Sequence, residues 1–206
     1  MFKIEKTKLP ELDDYEFDDY TETYEFYKFI DKVYPSIDYR VDFDSCYFEK
    51  IDFSNKNMDG IIFSNCYFKD CDLSNSSLLE SGIHKCTFDN CKLMGTSISD
   101  ASMKNNIFNN CNLSYMIISE STLNNIIFDV CDISNSSLYQ LKLKNIEFND
   151  CKLNKASIQN TLLNGIDLST CNINEIMINI NDLKGCIINN NQAVSIVENF
   201  GIKIKL

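Results

Sequence analysis

Large apolar side chains recur at every fifth position from Phe43 to Ile188, thirty positions without an exception. The series opens Phe43, Phe48, Phe53, Met58, Phe63 and closes Ile173, Ile178, Leu183, Ile188. A helix repeats every 3.6 residues and a strand every two, so neither alone gives this spacing. A short repeat sustained over such a length predicts a solenoid, whose units bury their apolar residue only by stacking on their neighbours. Two residues before each of these centres lies a second restricted position, mostly small or apolar, reading Val41, Cys46, Ile51, Lys56, Ile61, Cys66, Cys71, Ser76 and onward. All ten cysteines of the chain fall there. Residues two apart share one side of an extended chain, so centre and minus-two residues are both predicted to point inward. Asp, Asn, Ser, Lys and Glu dominate the remaining positions, as a solvated exterior requires.

A longer period lies on the first. Cys71, Cys91, Cys111, Cys131, Cys151 and Cys171 recur every twenty residues, as do Phe48, Phe68, Phe88, Phe108, Phe128 and Phe148. Twenty residues make four units, so each coil has four sides, with an internal phenylalanine ladder on one side and a cysteine column on the next. Residues 41–190 give about seven and a half coils and a rod of roughly 36 Å at the inter-strand spacing. The isolated Gly60, Gly82, Gly95, Gly165 and Gly185 are expected at turns between sides.

Units such as CYFKD, CDLSN, CTFDN, CKLMG and CNLSY resemble the A(D/N)LXX consensus of pentapeptide-repeat proteins, over about residues 41–190. That resemblance implies an all-β fold, a right-handed quadrilateral β-helix. The tail NDLKGCIINNNQAVSIVENFGIKIKL resembles the C-terminal end of the Qnr/MfpA-like quinolone-resistance subset. It implies a twofold dimer built through the C-terminal end, and DNA gyrase or topoisomerase IV as partner. The unbroken register leaves no room for the projecting loops of many Qnr proteins, and the N-terminal segment is longer than usual for that group.

The ends differ in kind from the coils. Residues 1–40 form an acidic, aromatic segment, expected to cap the open first coil. Phe26, Phe29, Ile30 and Val33 follow a helical stripe, Asp19 with Glu22 resembles a capping box, and Pro35 would stop the helix, so a short helix is expected near 20–33. In residues 191–206, Ala193, Ile196, Val197 and Phe200 form a second helical stripe, with Asn191 as N-cap and Gly201 as a left-handed stop. Ile202, Ile204 and Leu206 then alternate as a short strand. The helical stripe is the candidate dimer interface, an isologous contact that would bury the free end.

Net charge is −11, spread along the rod and its start. An anionic surface repels nucleic acid and attracts basic grooves, which disfavours direct DNA or RNA binding. No apolar leader or membrane span is apparent, so a cytoplasmic location is expected. Thiols stacked on successive coils stand too far apart for disulfides and are read as small buried hydrophobes, consistent with a reducing compartment. They also offer no tetrahedral metal cluster, and no cofactor is expected.

Catalytic chemistry is sparse. His84 is the single histidine and is expected to face outward, and no phosphate loop or nucleophile elbow is present. The chain is therefore read as a binding protein and not an enzyme. Glu80, Asp100 and Glu120 recur at one outward position, one coil apart. Stacked carboxylates repel, so stability alone does not favour them. They are the candidate partner-binding strip. Asp52 and Asp72 form a shorter pair that Lys92 interrupts, and Tyr47, Tyr67, Ile107 and Ile127 stack outside the phenylalanine side. Two readings stay open: an acidic DNA mimic that enters a type II topoisomerase (DNA gyrase), or a generic interaction rod with another protein partner.

Overall fold

The computed structural model describes residues 3–18, 20–35 and 40–205. The chain winds as a right-handed quadrilateral β-helix of short parallel strands, which from Asp42 onward pair at an interval of twenty residues. On the phenylalanine face Phe48 pairs with Phe68, Phe68 with Phe88, Phe88 with Phe108 and Phe108 with Phe128. Successive coils exchange main-chain bonds, for example Tyr67 N–H to Cys46 O at 2.9 Å and Asn65 N–H to His84 O at 2.9 Å. No coil can satisfy its backbone alone, which is why regularity propagates.

Nearly every side ends two residues after its centre, where the backbone becomes left-handed. Asn55, Asn75, Asn90 and Asn105 have φ of 56–58° there. Asn tolerates this region better than most residues, which accounts for its frequency at the corners. Gly95 has φ 69°, and a Cβ on it would lie 2.4 Å from Asn75 Oδ1. Gly82 is not at a turn: it lies in the strand Gly82–His84, and a Cβ would meet His84 Nε2 at 3.1 Å. Its missing side chain makes room for the imidazole.

The bore is filled as the spacing predicts. Phe48, Phe68, Phe88, Phe108, Phe128 and Phe148 stack with centroids 4.5–5.1 Å apart and planes within 16° of parallel. Such pairs add about 0.5–1.5 kcal/mol each beyond the area they bury. Nine of the cysteines are buried and Cys186 is half-buried. Eight of the buried thiols point at main-chain carbonyls of the preceding coil, as in Cys111 Sγ to Phe88 O at 3.5 Å. Burial pushes the Cys66 and Cys91 thiols well above the usual range, so they stay neutral. Asn106 breaks the apolar lining but is satisfied: its Oδ1 accepts from Cys86 N–H at 2.8 Å and its Nδ2 donates to Ile83 O at 2.7 Å.

The N-terminal helix expected near 20–33 is absent. Strands Thr23–Glu25 and Tyr27–Ile30 occupy that stretch. Tyr24, Phe29 and Tyr34 are buried, five residues apart, and Tyr24 and Phe29 pair with Phe43 and Phe48. Phe26 and Asp31, two residues after these centres, have φ 61° and 51°, as corners do. The segment thus adds three further sides to the solenoid, offset from the series by one residue (Tyr24 to Phe43 is nineteen). The helical stripe lost because a short isolated helix is marginal, whereas an extended chain here satisfies the open hydrogen-bonding edge of the next coil. Phe26, assigned to the buried stripe, is 51% exposed. Asp19 lies outside the described residues, so the proposed capping box does too. Tyr15 and Phe17 close the end of the bore, Phe17 stacking on Phe29 at 4.3 Å.

At the other end a helix, α1, spans Asn190–Asn199. Its N-cap is Asn189, not Asn191: Asn189 Oδ1 accepts from Gln192 N–H at 3.0 Å, and Asn189 N–H donates to Gln192 Oε1 at 2.8 Å. The Gln192 Nε2 donates to both Leu168 O and Cys171 O at 2.7 Å, so one side chain caps the helix and pins it to a late coil. Gly201 has φ 76°, the left-handed stop. Residues 202–205 form no strand, and Leu206 lies outside the described residues.

Candidate partner-binding surface

Glu80, Asp100 and Glu120 stand on one edge of the square rod, where one coil passes into the next, and not on a flat side. Each is a left-handed corner residue, with φ of 54°, 52° and 51°. Their N–H groups donate one coil onward, to Ser99 O at 2.9 Å, Ser119 O at 3.2 Å and Tyr139 O at 3.0 Å. That bonding sets the three corner backbones one coil apart, at about 4.8 Å. All three are exposed. Among the described residues, none of the three carboxylates has a hydrogen-bond or ion-pair partner.

The other acidic columns are different. Lys92 lies 3.7 Å from Asp72, Lys152 3.6 Å from Asp132 and Lys69 2.8 Å from Glu49. Asp89 accepts from Asn109 at 2.6 Å and from the Tyr67 hydroxyl at 2.9 Å, and Asp70 accepts from Asn90. There the residue one coil away offsets the charge. Along the Glu80 edge the preceding corner is Gly60 and the following ones are Gln140 and Asn160, so the three charges stand unopposed. Glu in a left-handed corner is also less favourable than Gly or Asn, by about 1 kcal/mol. Backbone geometry and Coulomb repulsion both argue against these residues on stability grounds.

The outward stack on the phenylalanine face is tied down. Tyr47 and Tyr67 lie 5.8 Å apart, and the Tyr47 hydroxyl donates to Glu49 at 2.9 Å. Burial is the first cause that raises the Tyr47 hydroxyl to about 12. Ile107 is only 7% exposed and Ile127 half-buried, so they form no open apolar patch.

At the C-terminal end Ile196 is buried in the core, Ala193 and Val197 are half-buried, and Phe200 is 46% exposed. The helical stripe therefore serves first to seat α1 on the rod. The apolar groups left exposed at this end include Phe200, Val194, Ile202, Met177 and Ile180. A groove beside α1, lined by Gln159, Asn160, Met177, Asn179 and Phe200, opens at the foot of the Glu80 edge through Asn160. Sequence reasoning missed Gln192, whose role shows only once α1 is seated. No helix is long and apolar enough to cross a membrane, and no group of three or more His, Cys, Asp or Glu is placed to hold a metal ion, among the described residues.

Two family models match this chain: pentapeptide repeats (8 copies) over residues 42–78 and the pentapeptide repeat region over residues 81–158, together more than half of its length. The chain belongs to the pentapeptide-repeat family. No curated protein matches it. Among solved structures, full-length QnrB1, a plasmid-mediated fluoroquinolone resistance protein, is 16% identical, with 88% of this chain and 100% of that chain covered and a TM-score of 0.35. HetL from the cyanobacterium Nostoc sp. strain PCC 7120, a pentapeptide-repeat protein involved in heterocyst differentiation regulation, is 14% identical, with coverage of 83% and 87% and a TM-score of 0.40.

Proposed function

We propose that this pentapeptide-repeat protein is a non-enzymatic binding rod that presents its anionic edge to a cationic groove of a protein partner. The observation that carries this reading is the run of three exposed, unopposed carboxylates on Glu80, Asp100 and Glu120. One charge per coil is about one per 4.8 Å, against about one per 3.4 Å along a DNA strand. The edge is thus a sparse imitation of a phosphate backbone, suited to lysines and arginines that otherwise hold DNA. A type II topoisomerase (DNA gyrase) is the specific partner favoured by the C-terminal resemblance, and by a rod stiff enough to enter a DNA-binding saddle. Phe200, Ile202 and Val194, left exposed at the free end, support a homodimer through that end.

The test is gyrase supercoiling with and without ciprofloxacin, at micromolar native protein and E80Q/D100N/E120Q. Inhibition or drug rescue by the native protein, weakened at least tenfold in the triple variant, is the expected result. No effect of the native protein removes the topoisomerase reading and leaves a rod with another protein partner. An effect that the triple variant retains in full removes the edge.

A further inference from the structure

The strand register turns Thr87 outward on the phenylalanine face, yet it is only 1% exposed. Residues 3–8 run beside it. The Thr7 N–H donates to Thr87 Oγ1 at 3.1 Å, the Thr7 hydroxyl donates to Lys85 O at 2.8 Å, and Lys6 Nζ lies 3.7 Å from Asp89. The segment follows the edge formed by Ser45, Asn65, Lys85 and Asn105, so it crosses several coils along the rod axis. This edge is separate from the one that carries Glu80, since the face centred on Phe43, Phe63 and Ile83 lies between them.

The segment is an unusual occupant. It adds no strand to the coils, and three of its residues are lysines (Lys3, Lys6, Lys8) in a chain of net charge −11. The surface beneath it is prepared for such a group. Asp89 is held by the Tyr67 hydroxyl at 2.9 Å and Asn109 at 2.6 Å, both from the rod itself. Thr87 offers a hydroxyl to a passing main-chain N–H, and the Lys85 carbonyl accepts from a side-chain hydroxyl. Together these three points read a lysine followed by a hydroxyl residue in an extended chain.

We propose that the strip past Lys85, Thr87 and Asp89 is a docking site for an extended, basic segment of a partner protein carrying a Lys-Thr or Lys-Ser step, and that residues 3–8 occupy it in the free chain. A tethered occupant competes at an effective concentration of about millimolar. The partner segment therefore meets a site that is closed until its own segment is displaced.

The experiment uses the full chain. K6E/T7P removes the ammonium, the hydroxyl and the donating N–H of the strap without touching a coil. A fluorescent peptide of residues 3–10 is the probe, with a scrambled peptide as control. The released variant is expected to bind the probe at least tenfold more tightly than the native chain, with affinity falling as salt rises. Adding T87V, which keeps the shape of the side chain and loses its acceptor, is expected to lower that affinity at least tenfold, and adding D89N at least threefold with a flatter salt dependence. Equal binding by native and released chains overturns the proposal, as does no binding to the released variant at millimolar peptide. Binding indifferent to T87V and D89N also overturns it. Self-association of the native chain that T87V abolishes would assign the strip to a second copy of this chain, and so would refute a partner segment.

Discussion

Asn106 is the polar residue whose replacement most sharply tests the buried lining. It is 0% exposed, and its amide spans two main-chain groups, Cys86 N–H at 2.8 Å and Ile83 O at 2.7 Å. Asn106→Asp keeps the shape and the acceptor but turns the donor into an oxygen facing the Ile83 carbonyl. Protonated, the new carboxyl can donate to that carbonyl and the cost is small. Ionised, it leaves an uncompensated charge in the bore, where buried acids are raised by up to ~3–5 units. One retained N–H donor argues for the lower end, about 3 units, or about 4 kcal/mol at roughly 1.4 kcal/mol per unit. The introduced acid has a folded pKa above its unfolded value of about 3.9, so the penalty is absent well below that pH. It then grows as pH rises towards the folded pKa, near 7. Denaturant titrations of both proteins at about pH 5, kept above the sequence pI of 4.5, and at about pH 7.5 read it directly. The expected loss is about 1.5 kcal/mol at the lower pH and about 4 kcal/mol at the higher. That larger loss lowers the melting temperature by roughly 8–16 °C. A penalty equal at the two pH values, or below about 1 kcal/mol at both, refutes the account of a dry, saturated site.

Three further outcomes follow from other parts of the rod. Val130 is a β-branched residue in a left-handed corner, φ 53° and 54% exposed, between Asn110 and Asp150 of the same edge. Val130→Asn is expected to stabilise the chain by about 1 kcal/mol and raise the melting temperature by about 2–4 °C; an unchanged or lower value contradicts the strain. Gln192→Ala removes two bonds to late-coil carbonyls and half of the capping box, at a cost of about 1–3 kcal/mol. Amide exchange is expected to speed up in α1 and residues 168–171 but not around Phe88 and Phe108, and uniform acceleration would show that the end does not open by itself. In a native thiol titration Cys186, half-buried, is expected to react first and the nine buried cysteines only on unfolding; rapid modification of several thiols would mean that the bore is not closed.

The two inward positions of each unit, the four-sided coil and the phenylalanine and cysteine columns were legible in the chain, because each depends only on residues five and twenty apart. The spacing of Glu80, Asp100 and Glu120 was legible for the same reason. That they stand on an edge, in left-handed corners, and lack the lysine or asparagine neighbours of the other acidic columns, shows only in three dimensions. Ile107 looked like an exposed contact residue because a strand register reports direction and not what lies over it.

What the sequence determined by itself is the repeating middle of the molecule: nearest-neighbour stacking is the same problem in every coil, and identical residues solve it at a fixed interval. The tertiary structure decided the ends. Tyr24, Phe29 and Tyr34 keep the five-residue spacing but slip by one, and the open edge of the neighbouring coil drew them into strands where a local stripe suggested a helix. Gln192 and Thr7 act on coils far away in sequence, through contacts that no periodicity encodes. A repeat fixes the interactions it shares with its neighbours, whereas a terminus is shaped by whatever hydrogen-bonding groups the last coil leaves free.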